Sequence, residues 1–198
     1  MLYRVEIPLS IPENLQFSPS WGSLLHGALM ELLSPATAAT LHETGPKPLA
    51  QYVFRESGGK VRWVIAALNQ PVADELNEVL LRRLPLDVRL NQKAATIRLE
   101  TPGKTEQTSY RKLADQYFAG HTVVSRQHKI RFMTPTSFKV AGKHVLFPTT
   151  DLIMNSLMLR WDACAADLSL YDPEVRAHLG SHVSIRDYHL YSTSFSVN

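Results

Sequence analysis

The chain has 198 residues, 44% of them apolar and 20% charged, with a formal net charge of +3. This composition fits one globular domain or two small ones and excludes wholesale disorder, while the slight positive charge tolerates a polyanionic partner without requiring one. A single cysteine, Cys164, excludes an intramolecular disulfide, and no run approaches the ~20 apolar residues of a membrane span. The first residues, Met1 to Ile7, alternate like a strand and carry no apolar signal core, so the expected location is the cytoplasm.

Leu2 to Pro8 opens the chain as a strand. Ser20 stands at the N-cap position of a helix whose apolar face is Leu24, Leu25, Ala28, Leu29, Leu32 and Leu33. Ser34-Pro35 ends that helix and starts a second, which finishes at His42. Gly45 suits the left-handed position that follows a helix, and Pro46 with Pro48 stops helical continuation, which leaves Lys47 in a loop. Tyr52 to Phe54 and Val61 to Ala67 pair as a hairpin through Ser57-Gly58-Gly59. Pro71 opens a helix with Val72, Leu76, Val79 and Leu80 on one face, and Ala95, Ile97 and Leu99 alternate with polar residues. The order βαββαβ predicts an α+β, ferredoxin-like domain over residues 1–105.

Residues 106–126 are polar and form a connector with a helix around Arg111 to Phe118. A second unit spans residues 127–198. Lys129 to Thr134 is expected as a strand, Phe138 to Phe147 as a hairpin turning at Ala141-Gly142, and Thr149 or Thr150 as the cap of a helix bearing Ile153, Leu157 and Trp161. Asp172 to Leu179 makes a short helix, and Val183, Ile185, Tyr191, Phe195 and Val197 alternate in a last strand. A complete ferredoxin-like unit needs a further strand, helix and closing strand, so the expectation is tandem ferredoxin-like domains, the second incomplete at the C-terminus. The sheet edge this leaves open also offers a homodimer interface.

His26-Gly27, Leu41-His42-Glu43 with Gly45-Pro46-Lys47-Pro48, Thr134-Pro135-Thr136-Ser137-Phe138, and Phe147-Pro148 before Leu152-Ile153-Met154-Asn155-Ser156-Leu157 occur in an order and spacing that matches the βα pattern. With these motifs the chain resembles the CRISPR repeat-processing endoribonucleases, members of the repeat-associated mysterious protein superfamily of type I and type III systems. The resemblance implies cleavage of precursor crRNA to 2′,3′-cyclic phosphate and 5′-hydroxyl ends, with matured guides passed to interference-complex subunits. It also implies a second domain that continues past Asn198 into a further strand, a helix and a glycine-rich RNA-contacting loop. Some members carry a catalytic tyrosine in the first helix; Met30 or a neighbouring apolar residue stands there here, so no tyrosine role is carried over.

RNA supplies its own nucleophile, the 2′-hydroxyl, so a cleaving protein needs to orient it, remove its proton and protonate the departing 5′-oxygen. Histidine suits both transfers, and no metal is needed in principle. The resemblance favours His42 as the leading catalytic residue, with Lys47 stabilising charge in the transition state and His26 as a third member or RNA contact. Taken alone, the residues favour a helix-capping histidine at His42 and a solvated loop lysine at Lys47, while His26 fits a satisfied boundary histidine equally well. No metal or cofactor is assigned: His178 and His182 lie at i, i+4 but Gly180 is expected to interrupt their helix, and His121 and His128 lack a partner pair. Arg126, Lys129, Arg131, Lys139 and Lys143 form a basic cluster suited to an RNA backbone, or to a solvated strand face. Phe132, Phe138 and Tyr188 serve either base stacking or the core. The alternatives to an enzyme are a non-catalytic or degenerate RNA-binding subunit and a structural dimer with no RNA role.

Overall fold

The computed structural model describes residues 1–18, 20–43, 45–119, 125–165 and 167–191. The chain divides into two compact units that meet at Arg126 and Gln127. In the first, β1 (Leu2–Ser10) leads to α1 (Trp21–Leu32) and α2 (Pro35–His42), followed by β2 (Leu49–Arg55), β3 (Val61–Ala67), α3 (Gln70–Val79), β4 (Leu86–Leu90), β5 (Ala95–Leu99), β6 (Lys104–Thr108) and α4 (Tyr110–Phe118). The strands make one antiparallel sheet in the order β2-β3-β1-β5-β4, and β6 also pairs with β1.

The pairing follows from the alternation in each strand. Val5, Ile7 and Leu9 of β1 stand opposite Ile65, Trp63 and Val61 of β3, and all six are buried. With Trp21, Leu25 and Leu29 of α1, Val72, Ala73 and Leu76 of α3, and Ile97 and Leu99 of β5, they form a single hydrophobic cluster. Burial of each such side chain contributes roughly 1.5–3 kcal/mol. The Ser57-Gly58-Gly59 turn closes the β2–β3 hairpin as expected, with Gly59 at φ +81° and its N–H donating to the Glu56 carbonyl.

Two strands of this sheet depart from the sequence reading. β6 lies partly in the expected connector, and it is polar throughout; what holds it is its register on β1, where Arg4 faces Glu106 and bridges to it at 3.1 Å while Lys104 bridges the same carboxylate at 2.8 Å. β4 is short and follows Pro85, yet Leu86, Val88 and Leu90 alternate with Asp87 and Arg89 and Val88 pairs with Ile97. Ser20 occupies the N-cap position of α1 without a side-chain cap; its hydroxyl meets that of Ser18 at 3.0 Å.

The second unit contains a two-stranded hairpin, β7 (Phe138–Val140) and β8 (Lys143–Val145), then α5 (Thr150–Cys164) and α6 (Pro173–His182). Ala141 and Gly142, at φ +47° and +81°, form its turn, and Thr149 rather than Thr150 caps α5 by accepting from Leu152 N–H. Lys129 to Thr134 is not a strand: those residues are exposed coil, because neither short hairpin strand pairs with them. The expected last strand is also absent over residues 183–191, which are coil, and Phe195 and Val197 lie outside the described residues. α6 runs through Gly180 to His182, so the glycine does not interrupt it. Among the described residues the large apolar core belongs to the first unit, while the second buries only Met158 and Ala165. No helix among the described residues is long and apolar enough to cross a membrane.

One hydrogen-bond relay fixes α1 on the sheet. The Trp63 indole N–H donates to Gln51 Oε1 at 2.6 Å, and Gln51 Nε2 donates to the Gly22 carbonyl at 2.7 Å. Replacing Gln51 by leucine strands a buried indole N–H and a helix-start carbonyl. We expect Gln51→Leu to lower stability by about 1–3 kcal/mol in urea unfolding, more than a Gln→Leu change on an exposed strand position.

Candidate active site

α2 is a helix of eight residues with one buried side chain, Leu41, so its own packing roots it only at that end. Its start is fixed by polar contacts instead. Ser34 Oγ accepts from Thr37 N–H at 3.3 Å, and Glu75, reaching across from α3, accepts from both the Ser34 N–H and the Thr37 hydroxyl. Burial raises the Glu75 pKa, but the hydrogen bonds from Thr37 and Ser34 outweigh it and hold the carboxyl below its ordinary range. An acidic group at a helix start also complements the helix dipole. The sequence signals the serine cap; nothing in it announces that a carboxylate 41 residues away completes the cap.

His42 is the last residue of α2 and is exposed. The chain then turns at Gly45, whose φ of +108° lies in the left-handed region that glycine tolerates. The far end of the loop is tied down where Leu68 N–H donates to the Pro48 carbonyl at 2.7 Å. Between these anchors Lys47 is half-buried, and its Nζ is shielded from solvent with no hydrogen-bond partner among the described residues. A buried ammonium without a partner is costly, so this position favours an anion supplied from outside.

His26 projects from α1 beside the buried Leu25 and Leu29 and is itself half-buried. Its pKa is lowered, first by burial and then by the charge of His42. The two histidines, from different helices, therefore lie within electrostatic range of each other. The lowered pKa favours the neutral imidazole of His26, the form able to accept a proton.

The basic cluster is placed less coherently. Lys129, Arg131, Lys139 and Lys143 are all exposed, but Lys139 stands opposite His144 and Lys143 opposite Val140 across the hairpin, so the two lysines point to opposite faces. Phe132 and Tyr188 are exposed, and Phe138 is half-buried, so none belongs to a core; Phe132 meets Phe138 edge-on at 6.4 Å and Tyr188 meets Phe147 at 5.7 Å. His178 and His182 stack at 4.1 Å on the continuous α6, and no group of three or more metal-ligating side chains occurs among the described residues. His121 lies outside the described residues.

These features define an α+β protein of antiparallel sheets, with two histidines within electrostatic range of each other and a lysine on the following loop. No protein-family model matches the chain. The CRISPR-associated endoribonuclease Cas6 of Mycobacterium tuberculosis is 27% identical over 203 residues, covering 99% of this chain and 62% of that protein. Its namesake from Streptococcus thermophilus is 27% identical over 184 residues, covering 87% of this chain and 68% of its own length. Among solved structures, a Cas6 product complex superposes with a TM-score of 0.65 at 21% identity over 94% of this chain and 73% of the other, and Thermus thermophilus Cas6 with 0.55 at 23% identity over 90% and 66%. Over nearly its whole length the chain is similar to Cas6 CRISPR-associated endoribonucleases, and it spans less than two thirds of the length of the mycobacterial relative.

Two expected outcomes test the geometry. Glu75→Ala loses about 1 kcal/mol of stability at neutral pH, as for a lost helix cap. Because the folded pKa is depressed, this contribution is present above the ordinary carboxylate value of about 4.3 and disappears as pH falls through the lower folded value, so wild type and variant converge in acid melts. Lys47→Met keeps the stem and removes the unpartnered charge, so its thermal midpoint rises above that of wild type; a fall would show that the ammonium is satisfied in the free protein.

Proposed function

We propose that the chain is a metal-independent endoribonuclease that binds CRISPR repeat RNA and cuts precursor crRNA in the cytoplasm, on tandem ferredoxin-like units. The strand order β2-β3-β1-β5, with α1 and α3 as the connecting helices, supports the first such unit. The observation that carries the catalytic reading is that His26 and His42, on different helices, lie within electrostatic range of each other, with the unpartnered Lys47 ammonium on the loop that follows. In this reading His26 takes the 2′-hydroxyl proton, the 2′-oxygen attacks the adjacent phosphorus, and His42 protonates the departing 5′-oxygen. The products end in 2′,3′-cyclic phosphate and 5′-hydroxyl. Lys47 faces the extra negative charge of the pentacoordinate transition state, a role for which a single positioned donor is worth ~2.7–4 kcal/mol. Lys129, Arg131, Lys139 and Lys143 contribute backbone contacts, and the matured guide passes to interference-complex subunits.

A second reading is a subunit that holds repeat RNA without cutting it. It is favoured by a second unit that buries only Met158 and Ala165 among its described residues.

Labelled repeat RNA incubated in EDTA separates the two. Wild type is expected to cut at one phosphodiester, His42→Ala to cut about 10²–10⁴ times more slowly, and RNA with 2′-deoxyribose at the cut site to stay intact. Binding without cleavage supports the second reading. A requirement for added metal, or scission of the 2′-deoxy substrate, sinks the mechanism.

A further inference from the structure

α1 carries a glycine that the fold does not need. Gly27 lies in the middle of the helix, where glycine is less favourable than alanine, and a Cβ built on it would meet no protein atom within 4 Å. Neither backbone conformation nor packing of the chain calls for it. What lies over this part of α1 is a cavity of about 210 Å³, walled on one side by Ser23, Gly27 and Glu31 of α1 and on the other by Arg89 at the end of β4 with Asn91 and Gln92 of the following turn. The Glu31 carboxylate and the Arg89 guanidinium face this one space without an ion pair between them among the described residues, and both are exposed.

We propose that this cavity is a subsite for one unstacked guanine base of the bound RNA. The inference rests on the RNA-binding reading above. Guanine presents two acceptors, N7 and O6, on one edge and two donors, the N1–H and the 2-amino group, on the next. A guanidinium forks onto the acceptors and a carboxylate accepts from the donors, the pairing chemistry the two walls provide. The bare backbone of Gly27 leaves room for the ring face, and the amides of Asn91 and Gln92 adapt to its remaining polar atoms. Glu31 argues against a phosphate in this position, since a carboxylate repels one. Gly27 adjoins His26 in sequence, so a base seated here ties the register of the RNA to the helix that carries the proposed base.

The test uses the full chain and repeat RNA protected by 2′-deoxyribose at the cut site, with each guanosine replaced in turn by an abasic ribose or by adenosine, read by fluorescence anisotropy. For wild type, one position is expected to weaken binding at least about tenfold with either replacement, within the range for a bidentate base contact. In Arg89→Ala and Glu31→Gln, exposed positions that leave the core untouched, and in Gly27→Leu, which fills the cavity, the penalty at that position should fall to about one, while penalties elsewhere persist. Wild type that binds the repeat with no such position, or variants that keep the full penalty, overturn the subsite alone. Wild type that does not bind unsubstituted repeat overturns the RNA reading and the subsite with it.

Discussion

The structure depends on the burial of one face of β1. Ile7, fully buried at the middle of that strand, faces the nearly inaccessible Trp63 of β3, and Val5 and Leu9 continue the contact on either side. Because the side-chain period of a strand is two residues, this face cannot slip by one position without turning all three residues outward. β1 therefore sets the register of the sheet, and α1 is in turn seated by Trp21, Leu25 and Leu29 and by the Gln51 relay from Trp63. His26 inherits a rigid position from these contacts, since it lies on the turn between two of the buried residues.

The other half of the site is built on a different principle. α2 contributes Leu41 to the core and little else, so hydrophobic burial alone would leave it free to pivot about its C-terminal end. Glu75 prevents that by bonding at its first turn, and α3, which carries Glu75, is seated by Val72, Ala73 and Leu76. One histidine is thus positioned by packing and the other by a polar clamp rooted in the same core. A short helix held by polar contacts adjusts more readily than one packed in the core, so on the proposed reading the two histidines are one fixed and one adaptable proton-transfer group.

The first unit was largely legible in the sequence because each of its main elements carries an unambiguous period and punctuation: Ser34-Pro35 between two helices, Gly-Gly between two strands, Val61 to Ala67 as an apolar run. β6 was not, because its stability comes from pairing with β1 and from Arg4 and Lys104 around Glu106, none of which leaves a hydrophobic pattern. In the second unit, apolar alternation at Lys129 to Thr134 and at Val183 to Tyr191 suggested strands that the described structure lacks, since alternation shows only that a segment is able to pair and the partner has to be present. At the site, His42, Lys47 and His26 were visible as residue types at suggestive spacings. Glu75 was invisible because a tertiary cap has no local signature, and Gly180 misled because a glycine inside a helix weakens it without ending it.

The electrostatics of the site follow from what each cation lacks. Lys47 has its ammonium out of solvent without an acceptor, and His26 is held toward its neutral form by burial and by His42. A fold selected for stability alone would place a carboxylate near these groups, as this chain does with Glu75 at the start of α2. A permanent carboxylate would raise the pKa of His26 and cost it the proton-acceptor role proposed for it, and would satisfy Lys47 before any substrate arrived. On the proposed reading the missing acceptor is a phosphate. In that reading Lys47 and His42 share the negative charge of the phosphate, which would otherwise raise the pKa of His26, so the lysine also keeps this histidine able to accept a proton.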